Sequence, residues 1–194
     1  MKPLVRLVLP VLLVLFAVAA IKEGYVTRSV TVATNTAEVF FPQAPTKSIR
    51  LVSYDVTGDT NNSALTLYSG TLPVTISGIL NATNLQVTSN SGVQTNALVL
   101  IQRADDTIFS LTVLMTNQVT NIIITATNSI PLATNDVLWV ATNISTVPIG
   151  MTTVRQSGEC LFMAQRRAPF SLRVNPGISN LTKINNAVCR YDDN

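Results

Sequence analysis

The 194-residue chain reads as all-β: a β-sandwich, jelly-roll-like or Ig-like, preceded by one hydrophobic N-terminal α-helix. Three observations predict this. From about Tyr25 onward, short runs rich in Val, Ile, Leu, Thr and aromatics recur between clusters of Asn, Gly, Ser, Asp and Pro. That is the texture of half-buried pleated strands joined by tight turns. No stretch after Gly24 repeats its apolar residues at a helical spacing. The first 24 residues differ from all the rest, so the chain divides into an N-terminal segment, 1–24, and a β-domain, 25–194.

In the N-terminal segment, Lys2 and Arg6 precede fifteen uninterrupted apolar residues, Leu7 to Ile21, and Lys22-Glu23-Gly24 follows. A basic start, a short apolar middle and a small-residue end at Ala17-Val18-Ala19 are the layout of a secretory signal peptide. A helix of that length reaches about 22 Å, short of the roughly 30 Å hydrocarbon core of a bilayer. We read the segment as a retained assembly helix. Leu7, Val11, Leu12, Leu13, Leu15, Phe16 and Ile21 would be buried against a lipid membrane or against the same helix in neighbouring copies. That burial would remove roughly 1,500 Å² from water, a drive to associate that no other part of the chain matches. A cleaved signal is the alternative.

The predicted strands follow in order at 26–33, 38–41, 48–55, 64–68, 74–79, 85–89, 97–103, 108–115, 121–127, 137–141, 158–163, 170–174 and 186–191. Alternation places Ile49, Leu51 and Ser53 on one face of their strand and Arg50, Val52 and Tyr54 on the other. Ala104-Asp105-Asp106-Thr107 lies between two strand-like runs and reads as a hairpin turn. The run from Val137 to Ala141 is apolar throughout, as expected of a strand covered on both faces. The triplet Ala-Thr-Asn begins at Ala33, Ala82, Ala126, Ala133 and Ala141. Its spacing is too irregular for a repeat architecture, so it reads as a bias toward turn residues.

Composition excludes several chemistries. The chain has no histidine, so Ser-His-Asp and Cys-His catalysis and histidine-ligated metals are ruled out. No phosphate-binding or nucleophile-elbow pattern occurs, and no enzyme, cofactor or metal is expected. Charged residues are only 12% of the chain. The surface is therefore polar through Thr, Asn and Ser, a surface that repels copies of itself weakly. Residues 51–154 carry Arg103 against Asp55, Asp59, Asp105, Asp106 and Asp136; residues 155–194 carry more Arg and Lys than Asp and Glu. The basic residues are scattered and not interleaved with aromatics, so no nucleic acid is expected as partner.

Few residues invite a site. Cys160 and Cys189 are the two cysteines; in an exported chain they predict one intramolecular disulfide closing a loop of about 30 residues. Asp55, Thr57, Asp59 and Asn61 alternate as in a calcium loop. Gly58 sits too early, however, and Thr66 stands where the bidentate carboxylate belongs, so this reads as a plain loop. Arg166 and Arg167 read as an exposed basic turn. Sequons occur at Asn61, Asn81, Asn143 and Asn180. Trp139 lies within an apolar run and reads as core, leaving Tyr25, Tyr54 or Tyr68 as possible sugar-stacking rings.

The expectation is a non-enzymatic structural subunit of an exported or membrane-associated surface assembly: filament, surface layer or virion shell. Its partners are copies of itself, and no small-molecule ligand is expected. The alternative is a secreted adhesin or carbohydrate-binding module with its signal peptide removed.

Overall fold

The computed structural model describes residues 24–31, 36–44, 46–81, 83–117, 119–125, 132–176 and 182–193. Twelve strands account for the regular structure: β1 (Tyr25–Thr31), β2 (Ala37–Phe41), β3 (Lys47–Thr57), β4 (Ala64–Ile79), β5 (Asn84–Val87), β6 (Leu98–Gln102), β7 (Ile108–Asn117), β8 (Ile122–Thr125), β9 (Val137–Pro148), β10 (Thr153–Met163), β11 (Phe170–Asn175) and β12 (Lys183–Asp193). All pairings are antiparallel.

One sheet has the order β1-β12-β3-β10. The facing sheet runs β2-β11-β4 and continues to β9 through the β4–β9 ladder. Successive strands of the outer chain segments thus alternate between two four-stranded sheets, which is the winding of a jelly roll. Apolar residues from both sheets meet between them: Phe41, Leu51, Leu67, Phe170, Leu172 and Ile184, among others, are 0–1% exposed. Burying each such side chain contributes about 1.5–3 kcal/mol.

The alternation read along β3 holds for Ile49 and Leu51 and then inverts, because Tyr54 and Val56 are also buried. Val52 is unmatched in the ladder: Leu51 pairs with Cys189, and Ser53 with Val188. One extra residue in a strand turns every later side chain to the other face.

The long connection between β4 and β9 is no loop. Beyond Thr75, β4 leaves the sandwich and pairs with β5; the pairings then run β5–β8, β8–β7, β7–β6 and β6–β9. Since β9 also pairs with β4, six strands close on themselves. The inward residues of all six form a second core, including Val74, Ile76, Leu85, Val99, Leu111, Val113, Ile123 and Leu138. The sequence predicted a sandwich alone; the structure adds this small closed barrel.

The two predicted strands at 64–68 and 74–79 are one strand. Gly70-Thr71-Leu72-Pro73 carries turn-forming residues, yet β4 accommodates them as a bulge, with the register shifting between Thr71 and Val74 and Leu72 at φ 49°. A third cluster seals the junction between the cores: Leu100, Ile108, Trp139 and Ala168, with Phe40, Val137 and Ala141 against them. Trp139 is buried as expected, and its neighbour Leu138 faces the barrel core. Gly70 is required at this junction. A Cβ there would sit 2.7 Å from the Pro169 ring and 3.0 Å from the Trp139 Cβ.

Local turn chemistry agrees with the sequence. Arg103 N donates to Thr107 O and Asp106 N to Arg103 O, which closes the β6–β7 hairpin with Asp106 at φ 62°. Asn96, Asn121 and Asn135 all take positive φ at strand ends, as the Asn bias suggested. The triplet from Ala141 to Asn143 is different, since it lies inside β9.

The expected disulfide is not formed. Both thiols are free, Cys160 exposed and Cys189 buried. Cys189 is on β12 and Cys160 on β10, and β3 runs between them. Two strand spacings are about 9.6 Å, beyond the Cα separation a disulfide bridges. The helix predicted for Leu7 to Ile21 lies outside the described residues. Among those described, no helix is long and apolar enough to cross a membrane.

Two outcomes are expected. Leu67→Ala in the sandwich and Ile76→Ala in the barrel should each cost about 2–5 kcal/mol. Both should lower one shared unfolding transition, because β4 runs through both cores; calorimetry alongside Trp139 fluorescence checks this, and two separable transitions would refute it. A thiol reagent added to the native, unreduced protein should label Cys160 only, since burial raises the Cys189 pKa. Unfolding without reductant should then expose both.

Candidate functional surfaces

The β6–β7 hairpin returns from the barrel onto the side of the sandwich. Between it and the β1 and β2 strands lies a groove of about 420 Å³ lined by Arg28, Glu38, Phe40, Asp105, Asp106 and Ile108, with other residues. Glu38 is the one acidic residue of β2 and stands where that strand meets the barrel. Ser110 of β7 donates to its Oε2 at 2.6 Å, and Ser171 of β11 donates to its Oε1 at 3.1 Å. Burial raises its pKa above the usual 4.5, against the lowering effect of the Ser110 hydrogen bond, the Arg173 charge and the Ser171 hydrogen bond. A carboxyl with a raised pKa beside a groove is the pattern of a general acid. Here both oxygens are already engaged by hydroxyls, so Glu38 serves as a latch tying barrel to sandwich.

On the outer face of the β1-β12-β3-β10 sheet, charges bind strands together. The Asp55 carboxylate of β3 accepts from Arg155 of β10 at 2.9 Å (Nε) and 2.5 Å (Nη2), and from Asn185 of β12 at 2.9 Å. The Asn185 hydrogen bond leads in holding its pKa down, with Arg155 adding to it. Both carboxylate oxygens of Asp55 are therefore engaged by side chains of the neighbouring strands. The loop after it is closed by Ser63, whose Oγ donates to Pro176 O at 2.8 Å. Among the described residues, no cluster of three or more Cys, Asp or Glu side chains is placed to hold a metal.

Of the three tyrosines raised for sugar stacking, Tyr54 is buried, Tyr68 is half-buried and Tyr25 is 53% exposed. Tyr25 borders a groove of about 480 Å³ with Arg50, Val52, Gly158, Glu159 and Arg190. The Arg190 guanidinium lies 5.7 Å from its ring centre, and both Arg50 and Arg190 pair with Asp192. Arg166 and Arg167 are exposed in the β10–β11 turn, Arg167 at φ 58°, as read from sequence. Asn61, Asn81 and Asn143 are exposed; Asn180 lies outside the described residues.

Of the barrel strands, β8 and β7 lie farthest from the shared β4–β9 pair, and with β5 they form one wall. Ile123 and Thr125 point into the barrel at 0% exposure, so Ile122 and Ile124 point outward. Next to them on β7, Leu114 and Met115 are more than half exposed, as is Leu80 at the end of β4. These were not singled out in the sequence. Their signal was there: residues 60–102 and 107–135 contain no Asp, Glu, Lys or Arg at all.

No protein-family model matches the chain, and no curated protein matches it. Among solved structures, the chain is similar to the VP16-VP17 complex of the two major capsid proteins of bacteriophage P23-77, with 8% identity and a TM-score of 0.21, covering 87% of this chain and 99% of that one. It is also similar to VP17, a capsid protein of the same phage, with 8% identity and a TM-score of 0.22 over 88% and 98% of the chains. At such scores the likeness carries no argument, and the functional reading below rests on the chain's own strand order and surfaces.

The Glu38 latch has a pH signature. Its folded pKa lies above the usual 4.5, so the folded chain keeps a proton that the unfolded chain releases. That contribution is full below about 4.5 and is lost as the pH rises through the raised value. Glu38→Gln is neutral at every pH. Its melting temperature relative to the unaltered protein should climb between pH 4.5 and 8, and a difference that stays constant with pH would show the carboxyl is not enclosed.

Proposed function

We propose that the chain is a non-enzymatic structural subunit, many copies of which pack into a surface shell. Among filament, layer and shell we put a virion shell first. The observation that carries this is the jelly-roll winding of the sandwich around a filled apolar core. Jelly rolls serve chiefly as capsid walls, as lectins and as cupins. A cupin needs histidine-bound metal, and this chain has no histidine. The step from fold to role is an analogy of architecture, and the weakly charged surface supports it by allowing copies to approach closely. In this reading the sandwich forms the wall and the barrel stands out from it. Leu7 to Ile21 remains in the mature protein as a helix packed against lipid or against neighbouring copies.

One observation favours a second reading. The exposed Tyr25 ring beside Arg50, Arg190 and Glu159 offers a stacking seat for a sugar, which would make the chain an exported carbohydrate-binding module. A glycan array read against Tyr25→Ala distinguishes the two.

Electron microscopy of the purified full chain is expected to show regular multi-copy particles or lattices. Leu13→Asp, a charge in the middle of the apolar segment, should abolish them while leaving the melting temperature of the β-domain unchanged. A full chain that stays monomeric at milligram concentrations would overturn the structural reading. A mature N-terminus at Ala20 or Ile21 by mass analysis would remove the helix from it.

A further inference from the structure

We propose that the outer wall of the barrel is a contact site for the same wall of a second copy of this chain. Three observations converge on it. Of the nine large apolar side chains left exposed among the described residues, six belong to the barrel: Leu72, Ile79, Leu80, Leu114, Met115 and Val119. Three of them, Leu80, Leu114 and Met115, cluster. Leu80 N donates to Asn84 O at 3.0 Å, Asn84 pairs with Ile124, and Ile124 pairs with Met115. Leu80, Ile124 and Met115 therefore stand in one row across about 15 Å. Leu114, the bulge residue beside Met115, flanks the row.

The third observation selects the occupant. Every charge of the barrel segment sits on Arg103, Asp105, Asp106 and Asp136, and Arg103 pairs with both Asp105 and Asp136. Those four are at the β6–β7 hairpin and the start of β9, by the Ile108 end of β7, whereas Leu114 and Met115 are at the other end of that strand. The wall therefore meets its own copy without like-charge repulsion, whereas a charged partner would find no counter-charge there. Apolar centre, Thr and Asn rim and absent charge are the composition of an interface core. A two-fold contact sets such a patch against itself.

The exposed apolar area is roughly 400 Å² per copy, comparable to the largest patch a monomer leaves open. With its polar rim, the pair would bury about 1,000–1,200 Å², the low end for a specific interface. The contact is thus weak alone and effective where other contacts hold many copies close. It rests on the shell reading above.

The test uses the full chain. Met115→Cys in a Cys160→Ser background should cross-link into dimers under mild oxidation of the assembled protein, whereas Gln156→Cys on the sandwich edge should not. Met115→Lys and Leu80→Lys should weaken assembly at least tenfold in critical concentration without moving the melting temperature. Raising NaCl to 1 M should leave the unaltered contact intact. Particles that form equally well from both Lys variants, with no Met115→Cys cross-link, would overturn this contact while the shell reading stands. If the unaltered chain forms no particles, both fall. Vesicles of neutral phosphatidylcholine that bind the unaltered chain but not Met115→Lys, with no cross-link, would assign the wall to lipid and overturn self-contact.

Discussion

The ladder between β4 and β9 is the constraint on which the rest of the molecule depends. It runs from Ala64 opposite Pro148 to Thr75 opposite Val137. One end lies in the sandwich sheet, where Leu65 and Leu67 face the β1-β12-β3-β10 sheet. The other end forms part of the barrel wall, where Val74, Ile76 and Leu138 face inward. A single pair of strands thus belongs to two cores, and neither core can shift relative to the other without breaking main-chain hydrogen bonds. The bulge at Leu72 and Pro73 bends this ladder between its two roles. Gly70 lets the Pro169 ring and Trp139 close over the bend.

The two parts solve surface chemistry differently. The sandwich knits its outer face with ion pairs that cross strands, Asp55 with Arg155 and Asp192 with Arg50, and Arg190 joins Asp192 from within β12. These are partly exposed and each is worth little alone, but they pin neighbouring strands in register. The barrel does almost without charge and relies on Thr and Asn to keep its wall polar. Beside the apolar cluster around Trp139, it is tied to the sandwich by one half-buried carboxyl, Glu38, whose hydroxyl partners come from β7 and β11. Sheets held by local charge and a barrel free of it are suited to different neighbours: solvent and ions for one, a surface like itself for the other.

Most strands and turns were legible because they follow from local rules: period-two burial, Asn at positive φ, and the Asp105-Asp106 hairpin. What was not legible depends on contacts far apart in sequence. Gly70 to Pro73 has the residue types of a turn, and only the presence of β9 alongside keeps β4 extended through it. The inversion after Leu51 is a property of the ladder with β12, not of β3. Strand order cannot be read locally, so nothing in the sequence told that β3 would part Cys160 from Cys189. Trp139 as core was readable from its apolar neighbours. Glu38 was not singled out, although an acid set in Ala37-Glu38-Val39-Phe40-Phe41 is the kind of lone polar residue that marks a buried partner. The apolar wall was missed for a related reason. Ile122-Ile123-Ile124 is apolar without alternation, and only the closed barrel decides that Ile123 points in and its two neighbours out.

The position of β12 has a consequence for how the chain is made. β12 is the central bridge of its sheet, lying between β1 and β3, and β1 has no other strand partner in that sheet. Residues 25–31 must therefore wait for residues 183–193 before they can be paired, a wait of about 150 residues, or on the order of ten seconds at the usual pace of a ribosome. All six barrel strands, by contrast, lie within 64–148. Their partners emerge almost in succession, and the loops they must close are short and entropically cheap. During synthesis the first strand to leave the ribosome is thus among the last to find its place. The cell must keep an unpaired β-edge and the apolar stretch from Leu7 to Ile21 from meeting other nascent chains in the meantime.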